Sequence, residues 1–185
     1  GIRDAIFVTL QDGTSKRLGP AFLAGVAMRG VIRFCQSADL APEATHVPYL
    51  DGIDLPPGVR ENNREVARAL VPAMRRAWAD LSDERGTLPF KHDHYLKIWQ
   101  LSGPKINAEF ILFDEAQDAN PVLVAIVEAQ THAQIVWVGD SQQCQPVGTL
   151  VRRVKEIGRG RIATKTEDVG IEKIVAGDRV VSYSV

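Results

Sequence analysis

Phe110-Ile111-Leu112-Phe113-Asp114-Glu115-Ala116-Gln117-Asp118 is an apolar run that stops abruptly at two acids. A continuous apolar run of this kind predicts a strand buried on both faces, as in a parallel sheet. Downstream, Asn120-Pro121 reads as a helix N-cap followed by proline at the first helical position. Val122 to Gln130 continues as a helix, and Ile135 to Val138 forms a second apolar strand that ends in Gly139-Asp140. Strand, helix and strand in this order make a parallel crossover unit. Such units bind their ligands at the carboxyl ends of the strands, which is where Asp114, Glu115 and Asp140 fall. The fold class is therefore α/β, a parallel sheet with helices.

Upstream, Ala5 to Leu10 is a short apolar run before a turn region, and Ala21 to Gln36 fits a helix only loosely, through Phe22, Val26, Ile32 and Phe34. Residues 37–59, rich in Pro, Gly and Asp, read as a loop. Glu61 to Leu81 is the clearest helix: Val66, Leu70, Ala73, Ala77, Trp78 and Leu81 recur at spacings of three and four. Tyr95 to Leu101 suits a short helix. Beyond Cys144 the texture changes. Thr149-Leu150-Val151 is strand-like, and Ile171 to Tyr183 alternates around a Gly177-Asp178 turn, which is hairpin patterning. A domain boundary is expected at Gln143/Cys144.

The 185 residues are 45% hydrophobic with a formal net charge of −1. That composition supports a core and excludes global disorder, and it offers no overall basic field for nucleic acid. Arg60, Arg64, Arg68, Arg75 and Arg76 form one basic cluster, and Arg152, Arg153, Lys155, Arg159 and Arg161 another. Both read first as solvated surface. Cys35 and Cys144, far apart, imply no disulfide framework. No apolar run is long enough for a membrane span, no signal peptide is evident, and the cytoplasm is the default compartment.

Phosphoryl transfer is mostly positioning and charge neutralisation. A carboxylate at a strand end can hold magnesium, a hard cation that prefers oxygen. A second carboxylate beside it can activate the attacking water. A glutamine just beyond can bond a phosphate. Asp114, Glu115 and Gln117 suit those roles in that order. The competing reading is that the acids only cap the helix that follows.

Asp114-Glu-Ala-Gln-Asp118 followed by Val138-Gly-Asp-Ser-Gln-Gln143 resembles motifs II and III of UvrD/Rep-type superfamily 1 DNA helicases. Arg33-Phe-Cys-Gln-Ser-Ala-Asp39 and Phe90-Lys-His-Asp-His-Tyr-Leu-Lys-Ile-Trp-Gln-Leu101 resemble the F-box DNA helicase branch. The resemblance implies that residues 1–143 are a fragment of a RecA-like P-loop NTPase domain that uses ATP and Mg2+ on single-stranded or duplex DNA. It implies Asp114 as the magnesium ligand, Glu115 as the water-activating base, and Gln117, Asp140 and Gln143 as nucleotide-side residues. Tyr95 and Trp99 could stack on bases, although their periodic spacing favours core packing. The chain departs from the family in lacking the Gly-x-x-x-x-Gly-Lys-Ser/Thr loop that cradles phosphates; Gly13-Thr-Ser-Lys-Arg-Leu-Gly19 does not fit it. The chain by itself is thus expected neither to bind ATP tightly nor to unwind DNA.

Cys144-Gln-Pro-Val-Gly-Thr-Leu-Val151 and Val169-Gly-Ile-Glu-Lys-Ile-Val-Ala-Gly-Asp-Arg-Val-Val-Ser-Tyr183 resemble the start of an intein. This implies that residues 144–185 begin a β-rich Hint domain, with Cys144 as splicing nucleophile, Gln143/Cys144 as splice junction, and Gly148, Thr149, Gly177 and Asp178 as motif residues. Splicing needs no cofactor. The activating Thr-x-x-His and the terminal His-Asn are not in the sequence, so either a longer chain or a separate C-terminal intein half is expected to complete the domain. The competing class throughout is a non-enzymatic α/β interaction module with structural acids.

Overall fold

A computed structural model describes residues 2–10, 12–54, 60–139, 175–176 and 179–181. The chain divides into two compact units, Gly1–Ser102 and Gly103–Val185. The boundary expected at Gln143/Cys144 lies outside the described residues.

The first unit opens with an antiparallel hairpin of β1 (Ile6–Thr9) and β2 (Ser15–Leu18), in register from Ile6↔Leu18 to Thr9↔Ser15. Its turn uses Gly13 at φ 78°, and Asp12 Oδ1 accepts from both the backbone and the hydroxyl of Thr14. The segment Gly13–Gly19 is therefore turn and strand, in keeping with its failure to match a phosphate loop.

The region read as loosely helical is a full helix, α1 (Pro20–Cys35). Its buried stripe is Leu23, Val26, Ala27, Gly30, Val31 and Phe34, whereas Phe22 is exposed. The sequence pattern obscured this face because small residues build part of it. A Cβ on Gly30 would stand 2.8 Å from Met74 Cε, so glycine lets α1 and α2 (Glu61–Ser82) approach closely. α2 buries Val66, Ala67, Leu70, Met74 and Leu81 on this seam, while Arg64, Arg68, Arg75 and Arg76 are exposed. The first basic cluster is thus the solvated helix face expected of it. α3 (His92–Leu101) packs on α1 and α2.

The second unit contains the crossover. β3 (Phe110–Phe113) runs into a 3₁₀ turn (Ala116–Asp118), α4 (Pro121–Glu128) and β4 (Gln134–Trp137). The two strands pair in parallel from Phe110↔Gln134 to Phe113↔Trp137. β5 (Val175–Ala176) and β6 (Arg179–Val181) form the antiparallel pair expected around residues 177–178, and β6 also pairs in parallel with β4, so the sheet order is β3-β4-β6-β5. α4 buries Val124 and Val127 against Ile135 and Trp137.

One expectation fails here. β3 is not buried on both faces: Phe110 and Leu112 are 53% and 60% exposed, and Ile111 and Phe113 are half-buried. It is the edge strand of its sheet, and the crossover helix covers one face only.

Candidate functional site

Asp114 and Glu115 stand at the carboxyl end of β3, held between two backbone bonds to one residue. Val138 N donates to Phe113 O at 2.8 Å, and Ala116 N donates to Val138 O at 2.9 Å. Both acids are exposed, while the next residue, Ala116, is 4% exposed in the core beside Ile135 and Trp137. The chain therefore leaves the strand, lifts two carboxylates to the surface and returns at once to the core. The Phe113 and Trp137 rings, with centroids 4.9 Å apart, pack together just below this point.

Glu115 is in the left-handed region, at φ 51° and ψ 38°, alone among the described non-glycine residues in its positive φ. Such a conformation costs a side-chain-bearing residue about 1–3 kcal/mol and persists only where the surroundings over-determine it. Here the paired bonds to Val138 and the buried Ala116 do so. Asp114 Oδ1 accepts from Glu115 N at 2.8 Å, which fixes the first carboxylate against its neighbour.

The capping alternative loses its footing. α4 is capped by Asn120, whose Oδ1 accepts from Val122 N at 2.9 Å, with Pro121 in the first turn. Glu115 makes no side-chain cap bond to the 3₁₀ turn. Gln117 lies in that turn, next to the acids. Asp140, Gln143, Cys144, Gly148, Thr149, Gly177 and Asp178 lie outside the described residues. Among the described residues no group of three or more His, Cys, Asp or Glu side chains is gathered as a metal cage.

A second polar cluster, in the first unit, escaped the sequence reading. Lys97 is fully buried on α3, where its ammonium donates to Ser37 O at 2.9 Å, to Gln100 Oε1 at 2.7 Å and to Asp39 O. Three acceptors match the three donors of a charged lysine. The Nζ also lies 4.3 Å from the centroid of the Phe34 ring. Burial pulls its pKa down to about 8, and burial pushes the neighbouring Cys35 thiol up to about 12. Gln100 Nε2 donates to Ala38 O, and Gln36 Nε2 donates to Asp93 Oδ2. The segments 33–39 and 90–101, read separately in the sequence, are thus stitched to each other.

His46 completes the cluster. Its Nδ1 accepts from Glu43 N, so Nε2 carries the hydrogen shared with Asp39 Oδ2 at 2.9 Å and Ser37 Oγ at 3.1 Å. Serine and aspartate meet the same nitrogen, and the other nitrogen is taken by backbone. A nucleophilic triad needs them on opposite nitrogens, so this group is architectural.

The expectation that Tyr95 and Trp99 pack in the core is also corrected. They are 55% and 43% exposed. The inward face of α3 belongs to His94 and Lys97, because their polar atoms find backbone partners there. Periodicity gave the helix but not its inner side.

Fold and site together define an α/β protein with an acid pair presented at the end of a parallel strand. Comparison with known proteins narrows the class. The chain is 37% identical over 84 residues to F-box DNA helicase 1 of Gallus gallus, covering 43% of this chain and 8% of that protein. It is 46% identical over 59 residues to F-box DNA helicase protein 1 of Schizosaccharomyces pombe, covering 30% of this chain and 7% of that protein. Part of the chain is therefore helicase-related, and the chain spans less than a tenth of these curated relatives. No protein-family profile matches the chain, and no solved structure matches it. No helix among the described residues is long and apolar enough to cross a membrane.

Proposed function

We propose that the chain carries the acid half of the nucleotide-hydrolysing site of an ATP-dependent DNA helicase of the UvrD type. The observation that carries this reading is the strained Glu115 beside Asp114 at the end of β3, with the similarity to F-box DNA helicases setting the reaction class. An exposed carboxylate with oxygen donors suits magnesium, which keeps water and binds through one or two carboxylates together with substrate phosphates. Asp114 would hold the ion, which neutralises the phosphate charge when bound. Glu115, raised clear of the core, would take the proton of the attacking water. Gln117, Asp140 and Gln143 would face the nucleotide.

The test uses the full-length protein with its intervening sequence removed. Glu115→Gln is expected to lower DNA-stimulated ATP hydrolysis about 10²–10⁴-fold, the usual worth of a general base, with nucleotide still bound. Asp114→Asn is expected to raise the magnesium concentration required. Hydrolysis undiminished in Glu115→Gln would sink the assignment. The 185-residue chain alone should hydrolyse no ATP on DNA.

A second reading concerns residues 144–185, supported by the sequence pattern at Cys144. Cys144 would open protein splicing. Its thiolate attacks the Gln143 carbonyl, the amide C–N bond breaks, and the acyl group passes to sulfur as the freed amine takes up a proton. A C-terminal intein half, in the same chain or a separate one, would complete the reaction. When the whole intein is expressed, splicing should yield a ligated host product, and Cys144→Ala should abolish it. Ligated product from Cys144→Ala, seen by mass spectrometry, would refute the nucleophile.

A further inference from the structure

The sequence holds two Asp-Gly pairs, Asp12-Gly13 and Asp51-Gly52, each in an exposed turn with its glycine at positive φ, 78° and 69°. In such a pair the backbone nitrogen reaches the preceding carboxyl easily, because glycine places no Cβ beside that nitrogen. The fold treats the two pairs differently. In the first, both reacting groups are engaged. Asp12 Oδ1 accepts from Thr14 N at 2.9 Å and from Thr14 Oγ1 at 2.6 Å, and Gly13 N donates to Leu10 O at 3.0 Å. The Thr14 hydroxyl, and then its backbone N–H, also hold the Asp12 carboxyl below the usual carboxylate range, so it stays charged. In the second pair, neither group makes a hydrogen bond among the described residues, whether the Asp51 carboxylate or Gly52 N. The polar side chains around this turn are used on its flanks. Asn63 closes on Leu50 N at 2.7 Å and on Leu50 O at 3.0 Å, and Asp54 accepts from Asn63 N at 3.0 Å and from its Nδ2 at 2.8 Å. Lys16 Nζ donates to Gly52 O at 3.3 Å. Leu50 and Ile53 on either side are 7% and 2% exposed, so an open tip stands between two anchored residues.

We propose that Asp51 is a site of spontaneous isomerisation to isoaspartate, and that the fold protects Asp12 from the same reaction. Gly52 N attacks Asp51 Cγ and an N–C bond forms. The carboxyl OH leaves as water with the amide proton, and the product is a cyclic succinimide. Water then adds to one of the two imide carbonyls, and one C–N bond breaks. Addition at Cγ restores aspartate. Addition at the main-chain carbonyl carbon leaves Gly52 joined through Cγ, with the former main-chain carboxyl free as a side group. One water leaves and one enters, so the mass is unchanged and no oxidant or metal takes part. The rearranged chain is one carbon longer between Asp51 Cα and Gly52 N. Asn63 clamps both backbone groups of Leu50, and Ile53 is buried. The extra length must therefore be taken up at the tip, where it displaces Gly52 O from Lys16. The site lies in the first unit, apart from the acid pair, and does not rest on the helicase reading.

The test ages the folded 185-residue chain at body temperature and neutral pH. Tryptic peptides are then followed by mass spectrometry with electron-transfer fragmentation, which distinguishes the β-linked residue. Trypsin separates the two pairs, Asp12 into residues 4–16 and Asp51 into residues 34–60. Isoaspartate should form at Asp51 at least about fivefold faster than at Asp12, the factor that one ordinary hydrogen bond supplies. In strong urea both turns are lost, and the two rates should converge. Methyl transfer from S-adenosylmethionine by an isoaspartyl carboxyl methyltransferase should rise with age on the Asp51 peptide. Asp51→Glu should abolish that signal, because the longer side chain no longer closes the same ring. Thr14→Ala, with its fold checked by circular dichroism, should raise the Asp12 rate several-fold and leave Asp51 unchanged. Equal rates at the two pairs in the folded chain, a faster rate at Asp12, or isoaspartate at Asp51 that forms only in urea would each overturn the proposal. A folded Thr14→Ala chain with Asp12 still as slow would overturn the protection assigned to Asp12.

Discussion

At the scale of single residues, Glu115 is the position where backbone strain and chemistry coincide. Its sequence neighbours announce an acid pair, but only the backbone reveals that the second acid sits at φ 51°. A conformation glycine adopts freely is held here by a residue with a Cβ and a carboxylate. Evolution toward stability alone would place glycine at this point. The strain can be isolated by comparing two truncations that both remove the carboxylate. Glu115→Gly should be more stable than Glu115→Ala by about 1 kcal/mol, because only alanine keeps the left-handed penalty. Equal denaturation midpoints for the two would show that the backbone is relaxed here, and the functional reading would lose its main support.

At the scale of elements, α3 is fastened to the end of α1 by a buried charge. Lys97 gathers the carbonyls that follow α1, and removing it would leave those acceptors unpaired. The lysine and Cys35 also give this contact opposing pH dependences. Lys97 has a folded pKa of about 8, below its ordinary value, so the unfolded chain holds the proton longer and stability rises as pH climbs from about 8 towards 10. Cys35 has a folded pKa of about 12, above its ordinary value, so the unfolded chain loses the proton first and stability falls above about pH 9. In the native sequence the two trends offset each other above pH 9. In Cys35→Ala the urea midpoint should therefore rise between pH 8 and 10, and in Cys35→Ala/Lys97→Met it should stay level. A flat profile in the single variant would show that the burial of Lys97 does not shift its titration.

At the scale of the whole molecule, the chain is two units, one carrying the acid pair and the other the Lys97 cluster and the Asp51-Gly52 turn. The crossover of the second unit was legible because local signals agreed with one another. Asn120-Pro121 starts α4 as expected, and both strands lie where the apolar runs stand. The first unit was less legible. α1 hides its seam behind Gly30 and alanines, and α3 turns lysine and histidine inward and aromatics outward. Those choices depend on carbonyls and side chains distant in sequence, which no periodicity records.

What the sequence by itself determined is the chemistry on offer. It set an acid pair at the end of an apolar strand, a capped crossover helix, a cysteine at the change of texture, and the absence of a phosphate-loop string from these residues. Only the tertiary structure decided how those groups are held. Val138 closes two bonds around the acids and strains Glu115, the segments 33–39 and 90–101 meet at Lys97, and β3 keeps one face open. Local sequence sets which dihedrals and caps are cheap, whereas burial, strain and shared hydrogen bonds arise only when distant segments compete for the same space.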